Sequence, residues 1–468
     1  MLSDCRLRPD CRMLFNNLNK EYDDGNFIRL NILADSIKNI CAGELYLMRK
    51  TDSLVEIADR ISLDFTLTEE QFLKKIESFA GSTSETMLGA WNNKKWLEWR
   101  IINDEKKYFN RAASNLRLLI MFHEEKEKQL LEISTDPEMI ARLRHTQQVV
   151  NESGDKTNPV SPVQMLVTYT ITVPPDLVPE GETIRCWLPM PSKNHPRQQK
   201  IKLIETSNNE YVISPDSAIH SSIYMEETSR KGTPAVFRIS FSYQSRAQYF
   251  NLNTQRILSY NKTSALYKKY TSEEYPHICF TENIRRLADS IVTPGDDPVA
   301  TVKKVYLWFK ENIPWTGALE YSTMANIPEY VCDNRRGDCG MQTFLFMSIL
   351  RYKGIPVRWQ SGWKVPPGFK NLHDWCEVYY EGPGWVPSDI SYDLQDSEKR
   401  SIKEFFISGI DSYRLIVNSG VSGSLFPAKQ HMRSEPYDFQ RGEVEWRGGN
   451  LYFDKWEYKM DVKYVAGF

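Results

Sequence analysis

The stretch that decides the fold is RRGDCGMQTF, residues 335–344. Glycines lie two positions before Cys339 and one position after it, and residues 341–352 are apolar almost all round. This pattern predicts a buried helix that begins beside the cysteine, and KGIP at 353–356 supplies its glycine stop and a proline. The amides and the positive dipole end at a helix N-terminus stabilise a thiolate, so we expect a lowered pKa for Cys339. The same amides could hold the oxyanion of a tetrahedral intermediate.

A histidine and an aspartate follow this cysteine in chain order. His373 opens a predicted strand over 373–380, EGPG forms a turn at 381–384, and Asp389 ends a second predicted strand. The spacing favours two adjacent antiparallel strands, in which Asp389 accepts a hydrogen bond from one ring nitrogen while the other nitrogen faces Cys339. Strand alternation places Asp374 and Cys376 on the opposite face from His373.

Two other interpretations compete with catalysis. A single cysteine on an apolar helix is usually a small buried hydrophobe, but the glycine flanks, the helix start and the ordered partners favour a nucleophile. Cys332, Cys339, His373 and Cys376 could form a zinc site. However, the gap between the first two exceeds the usual ligand spacing, and Cys376 lies on the wrong face. We therefore expect no metal and no cofactor, with Cys332 and Cys376 as packing residues or at most an accessory disulfide.

Bulk properties limit the classes of protein. The 468 residues are 41% hydrophobic and 26% charged, which allows two to four globular domains. A net charge of -2 gives no reason to expect a nucleic-acid partner. The eight cysteines are too scattered for a small disulfide scaffold. No apolar stretch is long enough for a membrane span. The first ten residues carry charges of both signs, so no signal peptide is expected. The location would be periplasmic or secreted if a leader has been removed, and cytoplasmic otherwise.

The chain is predicted to have an α+β organisation in successive parts. Residues 1–150 have helical periodicity, 151–163 have the composition of a linker, and 164–255 show the alternation of an all-β, sandwich-like domain. Residues 272–468 begin with helices at 282–291 and 298–312, continue with strands at 357–363, 373–380 and 385–390, and end in a C-terminal β extension.

Four motifs occur in order and resemble the core of the transglutaminase-like superfamily: GDCG at 337–340, LRYKGIPVR at 350–358, HDWCEV at 373–378 and GWVPSD at 384–389. RCWLPMP at 185–191 resembles the β domain that precedes the core in bacterial members. The resemblance covers about 165–420 and implies a papain-like fold.

The same resemblance implies site residues. Cys339 would be the nucleophile, His373 the general base and acid, and Asp389 the residue that orients the histidine. Trp315, in NIPWT at 312–316, lies where some members place a side chain that assists the oxyanion; core packing is the alternative. No acidic run has the spacing of a calcium loop, so calcium dependence is not expected.

These features together predict a thiol-dependent acyl-transfer enzyme that acts on peptide or side-chain amides through a thioester. Hydrolysis, as a protease or deamidase, is preferred because water needs no second binding site. The alternatives are a cross-linking transglutaminase, a peptide:N-glycanase, and a non-catalytic interaction module that keeps the fold. The expected partner is a protein or peptide substrate, and no oligomeric state is predicted.

Overall fold

A computed structural model describes residues 8–124 and 137–465 of the chain. Helices and sheets are both abundant, and helices dominate the N-terminal part, so the predicted α+β class is confirmed. The chain divides into two compact units, Met1–Leu130 together with Thr316–Ala325, and Leu131–Trp315 together with Asn326–Phe468. The predicted boundaries at 150, 163, 255 and 272 stay a prediction.

The first unit is mainly helical. Its helices are Pro9–Asp23, Phe27–Ile40, Leu45–Asp64, Glu69–Ala80, Glu85–Asn93 and Ala112–Glu124, with a short 3-10 turn at Tyr321–Thr323. A hairpin of β1 (Trp99–Ile102) and β2 (Glu105–Tyr108) interrupts them. Its two turn residues, Asn103 and Asp104, both have positive φ, as a two-residue hairpin turn requires. The periodicity at 1–150 did not reveal this hairpin.

A disulfide joins the first two helices of this unit. Cys11 lies in the Pro9–Asp23 helix, and Cys41 directly follows the Phe27–Ile40 helix. Both residues are almost fully buried, and they are 30 positions apart in the sequence. The bond therefore closes a loop that contains one whole helix and the turn before it.

Removing this disulfide should destabilise the helical unit. Closing a loop of this length restricts the unfolded chain, so we expect the Cys11→Ser, Cys41→Ser double variant to lose about 3–4 kcal/mol of unfolding free energy. Urea unfolding in the presence and absence of a reductant measures the loss. The wild type should respond to the reductant and the double variant should not; equal stability of the wild type in both buffers would contradict the prediction.

The second unit combines eight helices with three sheets, counted over its described residues. The helices are Pro137–Ser153, Ala265–Tyr270, Glu282–Ile291, Pro298–Asn312, Ile327–Asn334, Cys339–Tyr352, Arg400–Lys403 and Phe405–Ser408. The strands are β3 (Val160–Val173), β4 (Thr183–Pro189), β5 (Gln198–Thr206), β6 (Tyr211–Ile213), β7 (Ser222–Thr228), β8 (Ala235–Tyr249), β9 (Val357–Lys364), β10 (Asn371–Tyr380), β11 (Gly384–Ser388), β12 (Gly409–Ile410), β13 (Arg414–Asn418), β14 (Glu443–Trp446), β15 (Gly449–Leu451) and β16 (Glu457–Val465).

Strands from the C-terminal region complete two sheets that the middle of the chain begins. One sheet has the order β12-β8-β3-β16, with β5 also paired to β8, and the other has the order β15-β14-β4-β7-β6. Along β3, alternate side chains from Met165 to Val173 are fully buried in a core shared with Trp187 of β4 and Phe241 of β8. The sandwich is therefore built from chain segments almost 300 residues apart in sequence, as the pairing of β3 with β16 requires.

The third sheet, with the order β11-β10-β9-β13, packs against the helix that begins at the cysteine. Every residue from Cys339 to Arg351 in this helix is buried, which confirms the buried helix predicted from its apolar sequence. The strands predicted at 357–363 and 373–380 are also confirmed, as is the antiparallel hairpin that joins β10 to β11. This sheet and helix position the candidate site.

Candidate active site

Cys339 is the first residue of its helix, and Asp338 caps that helix. The Met341 amide donates to Asp338 Oδ1 at 3.0 Å, and the Gln342 amide makes the first intrahelical bond to the Asp338 carbonyl, also at 3.0 Å. The approach to the cysteine is tight, since a Cβ on Gly337 would lie 2.8 Å from Met341 Cβ. The cap thus engages the Met341 and Gln342 amides at the start of the helix.

The expected lowering of the Cys339 pKa is wrong. The side chain is only 9% exposed, and burial raises the pKa of the thiol well above its usual value. A carboxylate raises it further wherever Asp374 or Asp338 is ionised. Desolvation of the charged form outweighs the helix dipole, whose influence fades within one turn. Cys339 is therefore a protonated thiol.

The nearest carboxyl group to the thiol belongs to Asp374. Cys339 Sγ lies 3.5 Å from Asp374 Oδ2, and Gln440 Nε2 donates to Asp374 Oδ1 at 2.7 Å. Strand alternation places Asp374 and His373 on opposite faces of β10. The start of the Cys339–Tyr352 helix contacts the strand on the Asp374 side, and His373 lines the cavity. Both faces of this strand end therefore contribute to the site.

His373 and Asp389 are joined by a buried hydrogen bond. His373 Nε2 lies 2.8 Å from Asp389 Oδ2, so the ring nitrogen left for another partner is Nδ1. Gly362 of β9 pairs with His373 of β10. Glycine is required there because its φ is +155° and a Cβ would lie 2.0 Å from the Leu415 carbonyl oxygen. Close strand pairing thus fixes the backbone that carries the histidine.

Asp389 has three further polar contacts that hold its carboxylate. Arg414 Nη1 lies 2.9 Å from Oδ2, and the Ser391 hydroxyl donates to Oδ1 at 2.7 Å. The Ser391 amide also donates to Oδ1, at 3.3 Å. Burial alone would raise the pKa of Asp389, but His373 and Arg414 hold it well below its usual value. Asp389 is therefore an anion at every ordinary pH.

Burial dominates the titration of the histidine. It lowers the pKa of His373 to about 4, with Asp389 opposing the shift and the cations Arg414 and Lys364 adding to it. The imidazole is neutral at physiological pH, so it is ready to accept a proton. The thiol and the imidazole are therefore both neutral at physiological pH.

Cys339 and His373 both line one cavity of about 520 Å³. Trp315 also lines it and is 45% exposed, which excludes core packing as the role of this residue. A parallel backbone bridge joins Trp315 to Gly337 and holds it next to the turn that carries the cysteine. Other apolar contributions to the wall come from the Pro137–Ser153 helix and the loop after Asp389: Met139, Ile140, Leu143, Tyr392 and Leu394.

One cation of the cavity wall lies among aromatic rings. Lys364 Nζ is 4.7 Å from the ring centre of Phe369 and 5.3 Å from that of Tyr392. Burial and the nearby Arg414 lower the pKa of Lys364. The cavity thus combines an apolar wall with a positive charge that stabilises anionic groups near the thiol.

A network of ionic contacts supports the strand behind His373. Glu377, two residues after Trp375 on the same strand, receives a hydrogen bond from Arg358 at 2.6 Å, and His195 Nε2 lies 3.0 Å from its other oxygen. Arg197 donates to Gln360 Oε1 at 2.7 Å, which also accepts from the Trp375 indole. These bonds connect the sandwich strands to the sheet that carries the histidine.

Zinc was a rejected alternative at the sequence level. Across residues 8–124 and 137–465, no group of three or more histidine, cysteine or acidic side chains is arranged to hold a metal ion. Cys332 and Cys376 are both free and buried, and Cys376 donates to the Ser388 carbonyl.

The sequence pattern missed several residues that shape the site. Asp374 was visible next to His373, but alternation directed attention to the other face. Arg414 and Gln440 reach the site only through tertiary pairing, from 25 residues beyond Asp389 and from 66 residues beyond Asp374 respectively. The one sequence signal for these two residues would be an arginine or a glutamine within a segment that is expected to be buried.

Comparison with known families agrees with this geometry. Residues 285–390 match the family model described as the transglutaminase-like superfamily, Transglut_core. The chain contains a transglutaminase-like core. The match ends just after Asp389 and includes Cys339, His373 and Trp315. Among curated proteins, none matches the chain.

Solved structures give more distant likenesses. A candidate cysteine protease from Cytophaga hutchinsonii is 12% identical, with 65% of this chain and 91% of that chain covered and a TM-score of 0.43. The periplasmic domain of TgpA from Pseudomonas aeruginosa is 16% identical over 48% and 88%, with a TM-score of 0.27. A candidate protease from Parabacteroides distasonis is 8% identical over 52% and 64%, with a TM-score of 0.19.

No helix in the described ranges combines the length and the apolar character that crossing a membrane requires.

Replacing the arginine behind the aspartate should be strongly destabilising. Arg414→Met leaves Asp389 and Asp411 buried without their shared cation, so we expect the unfolding free energy to fall by about 3–5 kcal/mol. Arg238→Met is a matched control, because its pair with Glu205 is exposed and should be worth less than about 1 kcal/mol. Chemical denaturation measures both, and equal losses would contradict the prediction.

The pKa of His373 can be followed by NMR. Its ring Cε1–H resonance, identified by its disappearance in His373→Gln, should not titrate between about pH 8 and pH 5.5 and should move as the pH approaches 4. Between pH 6.5 and 4 the unfolded chain binds more protons than the folded one. Stability is therefore lost as the pH falls, by up to about 1.4 kcal/mol per pH unit from this residue. A midpoint near 6.5 would show that burial does not control this histidine.

Proposed function

We propose that this protein is a thiol-dependent acyl-transfer enzyme that hydrolyses peptide or side-chain amides. The observation that carries the proposal is that Cys339 and the His373–Asp389 pair meet at one cavity, with the cysteine at the start of a buried helix. The match to the transglutaminase-like superfamily supports it. Cys339 is the nucleophile, His373 the base and acid, and Asp389 the orienting residue.

The reaction begins with transfer of the thiol proton. His373 Nδ1 accepts it while Cys339 Sγ forms a bond to the carbonyl carbon of the amide. Asp389 and Arg414 keep Nε2 engaged, which holds the ring in the tautomer that exposes Nδ1. Amides at the start of the Cys339–Tyr352 helix, together with Trp315 at the cavity, are placed to stabilise the oxyanion.

Collapse of the tetrahedral intermediate completes the first half. The C–N bond breaks as His373 returns its proton to the departing amine, and a thioester remains on Cys339. Water then loses a proton to His373 and attacks the thioester, which releases a carboxylic acid and restores the thiol. The raised pKa of Cys339 fits this concerted use of the base, since no preformed thiolate is required.

The apolar wall of the cavity favours a peptide chain as substrate. The Cys11–Cys41 disulfide supports an oxidising compartment, such as the periplasm or the extracellular space. In that setting the deep burial of Cys339 protects the nucleophile from oxidation, because thiolate character and exposure govern that reaction.

Three parallel assays test the proposal: cleavage of a peptide library, ammonia release from peptides that contain glutamine and asparagine, and incorporation of a fluorescent primary amine. We expect the wild type and Cys332→Ala to hydrolyse amides, and Cys339→Ala to lose at least about 10³-fold of the rate. Cys332 is a matched control because it is also a buried, free cysteine. If Cys339→Ala equals the wild type in every assay, the protein is not this enzyme; dominant amine incorporation would identify a cross-linking enzyme.

A further inference from the structure

Asp374 touches the reacting sulfur although the hydrolytic triad needs no second carboxyl group there. Its Oδ2 lies 3.5 Å from Cys339 Sγ, and its side chain is as deeply buried as that of His373. Because a charged carboxylate beside the thiol would oppose thiolate formation, the protonation state of Asp374 decides whether it hinders or assists the nucleophile.

Gln440 determines which oxygen of Asp374 carries a proton. Its side-chain nitrogen donates to the His373 carbonyl at 3.0 Å and to Asp374 Oδ1 at 2.7 Å. The carbonyl is an acceptor only, so the Gln440 group that faces it must be the NH₂ group. Oδ1 therefore accepts a hydrogen bond, and a proton on this carboxyl group resides on Oδ2, the oxygen that faces the sulfur.

The charges around Asp374 favour its neutral form. Asp438 and Glu435, from the loop between β13 and β14, face it from one side, and Asp338 faces it from the helix start beside Cys339. Its neighbour on the strand, His373, is neutral. Burial, followed by Asp438 and Asp338, raises the pKa of Asp374 well above its usual value, and the cation Arg441 is already bonded to Glu435.

We propose that Asp374 is a fourth catalytic residue, a neutral carboxylic acid whose Oδ2–H donates a hydrogen bond to the Cys339 sulfur. This inference rests on the proposed function. The thiol S–H bond breaks and an N–H bond forms on His373 Nδ1, while the O–H bond of Asp374 stays intact and turns toward the sulfur. A donor in a buried site stabilises the developing negative charge on sulfur without adding a charge of its own.

Asparagine and alanine at position 374 separate this role from its opposite. Asp374→Asn is neutral, accepts from Gln440 through its carbonyl and donates to the sulfur through its NH₂ group, so it reproduces the proposed pattern. Asp374→Ala removes the donor. If Asp374 were instead an ionised acceptor, the asparagine would remove a repelling charge and would activate the thiol.

The pH dependence of alkylation of Cys339 by iodoacetamide, followed by mass spectrometry of the full-length protein, is the decisive measurement. We expect the midpoint of Asp374→Asn to lie within about 0.3 pH unit of the wild type, and that of Asp374→Ala to rise by about one unit. A midpoint for Asp374→Asn that falls by one unit or more overturns the proposal, as does an unchanged midpoint for Asp374→Ala.

Amide hydrolysis provides a second readout. Asp374→Asn should keep kcat within about threefold of the wild type, whereas Asp374→Ala should lose roughly 10- to 100-fold; equal losses in both variants would count against a hydrogen-bond donor. Asp393→Asn is the control for a carboxyl group that lines the same cavity but has a 91% exposed side chain, and its alkylation midpoint should match the wild type.

The two proposals fail in different ways. Alkylation needs no substrate, so the role of Asp374 is tested even if no amide is hydrolysed. If Asp374→Ala does not fold, the direction of the shift in Asp374→Asn still decides between donor and repelling charge. Failure of the proposed function appears instead as a Cys339→Ala variant that equals the wild type.

Discussion

The negative charge of Asp389 is the constraint on which the site depends. A buried carboxylate is tolerated only when cations and donors surround it, and here Arg414, His373 and Ser391 supply them. To deliver Arg414, β13 must pair with β9 on the far side of the sheet from β11. The sheet order, the orientation of the imidazole and the backbone that carries the histidine all serve to surround this buried anion with its bonding partners.

The thiol is held in an environment that restrains it. Burial keeps Cys339 protonated, against the influence of the helix dipole. In the proposed reaction, such a cysteine becomes a good nucleophile only when a bound substrate and His373 act on it together, and other electrophiles meet a poor nucleophile. The same low polarity strengthens each hydrogen bond within the site once a substrate has displaced water. The low polarity of the site thus accounts both for the protonated thiol and for the strong hydrogen bonds of the proposed reaction.

Local patterns in the sequence predicted much of this structure. The buried helix of 341–352 followed from its apolar composition, and the pairing of β10 with β11 followed from a turn that joins two nearby strands. His373 and Asp389 were therefore within reach of pattern analysis. The pKa of Cys339 was not, because it depends on desolvation and on carboxyl groups whose positions no periodicity encodes. Gln440 and Arg414 were missed for the related reason that long-range strand pairing brings them in.

The order in which the chain completes its sheets has a consequence for dividing this protein into pieces. A fragment that ended at about residue 420, where the recognisable motifs stop, would contain Cys339, His373 and Asp389. It would lack β14 and β16, which cover the edges of β4 and β3. Two long, apolar strand edges would then be open to other chains, and such edges promote aggregation. The motifs around Cys339, His373 and Asp389 thus lie close together in sequence, while the sheets that support them are completed only by the last strand of the chain's described part.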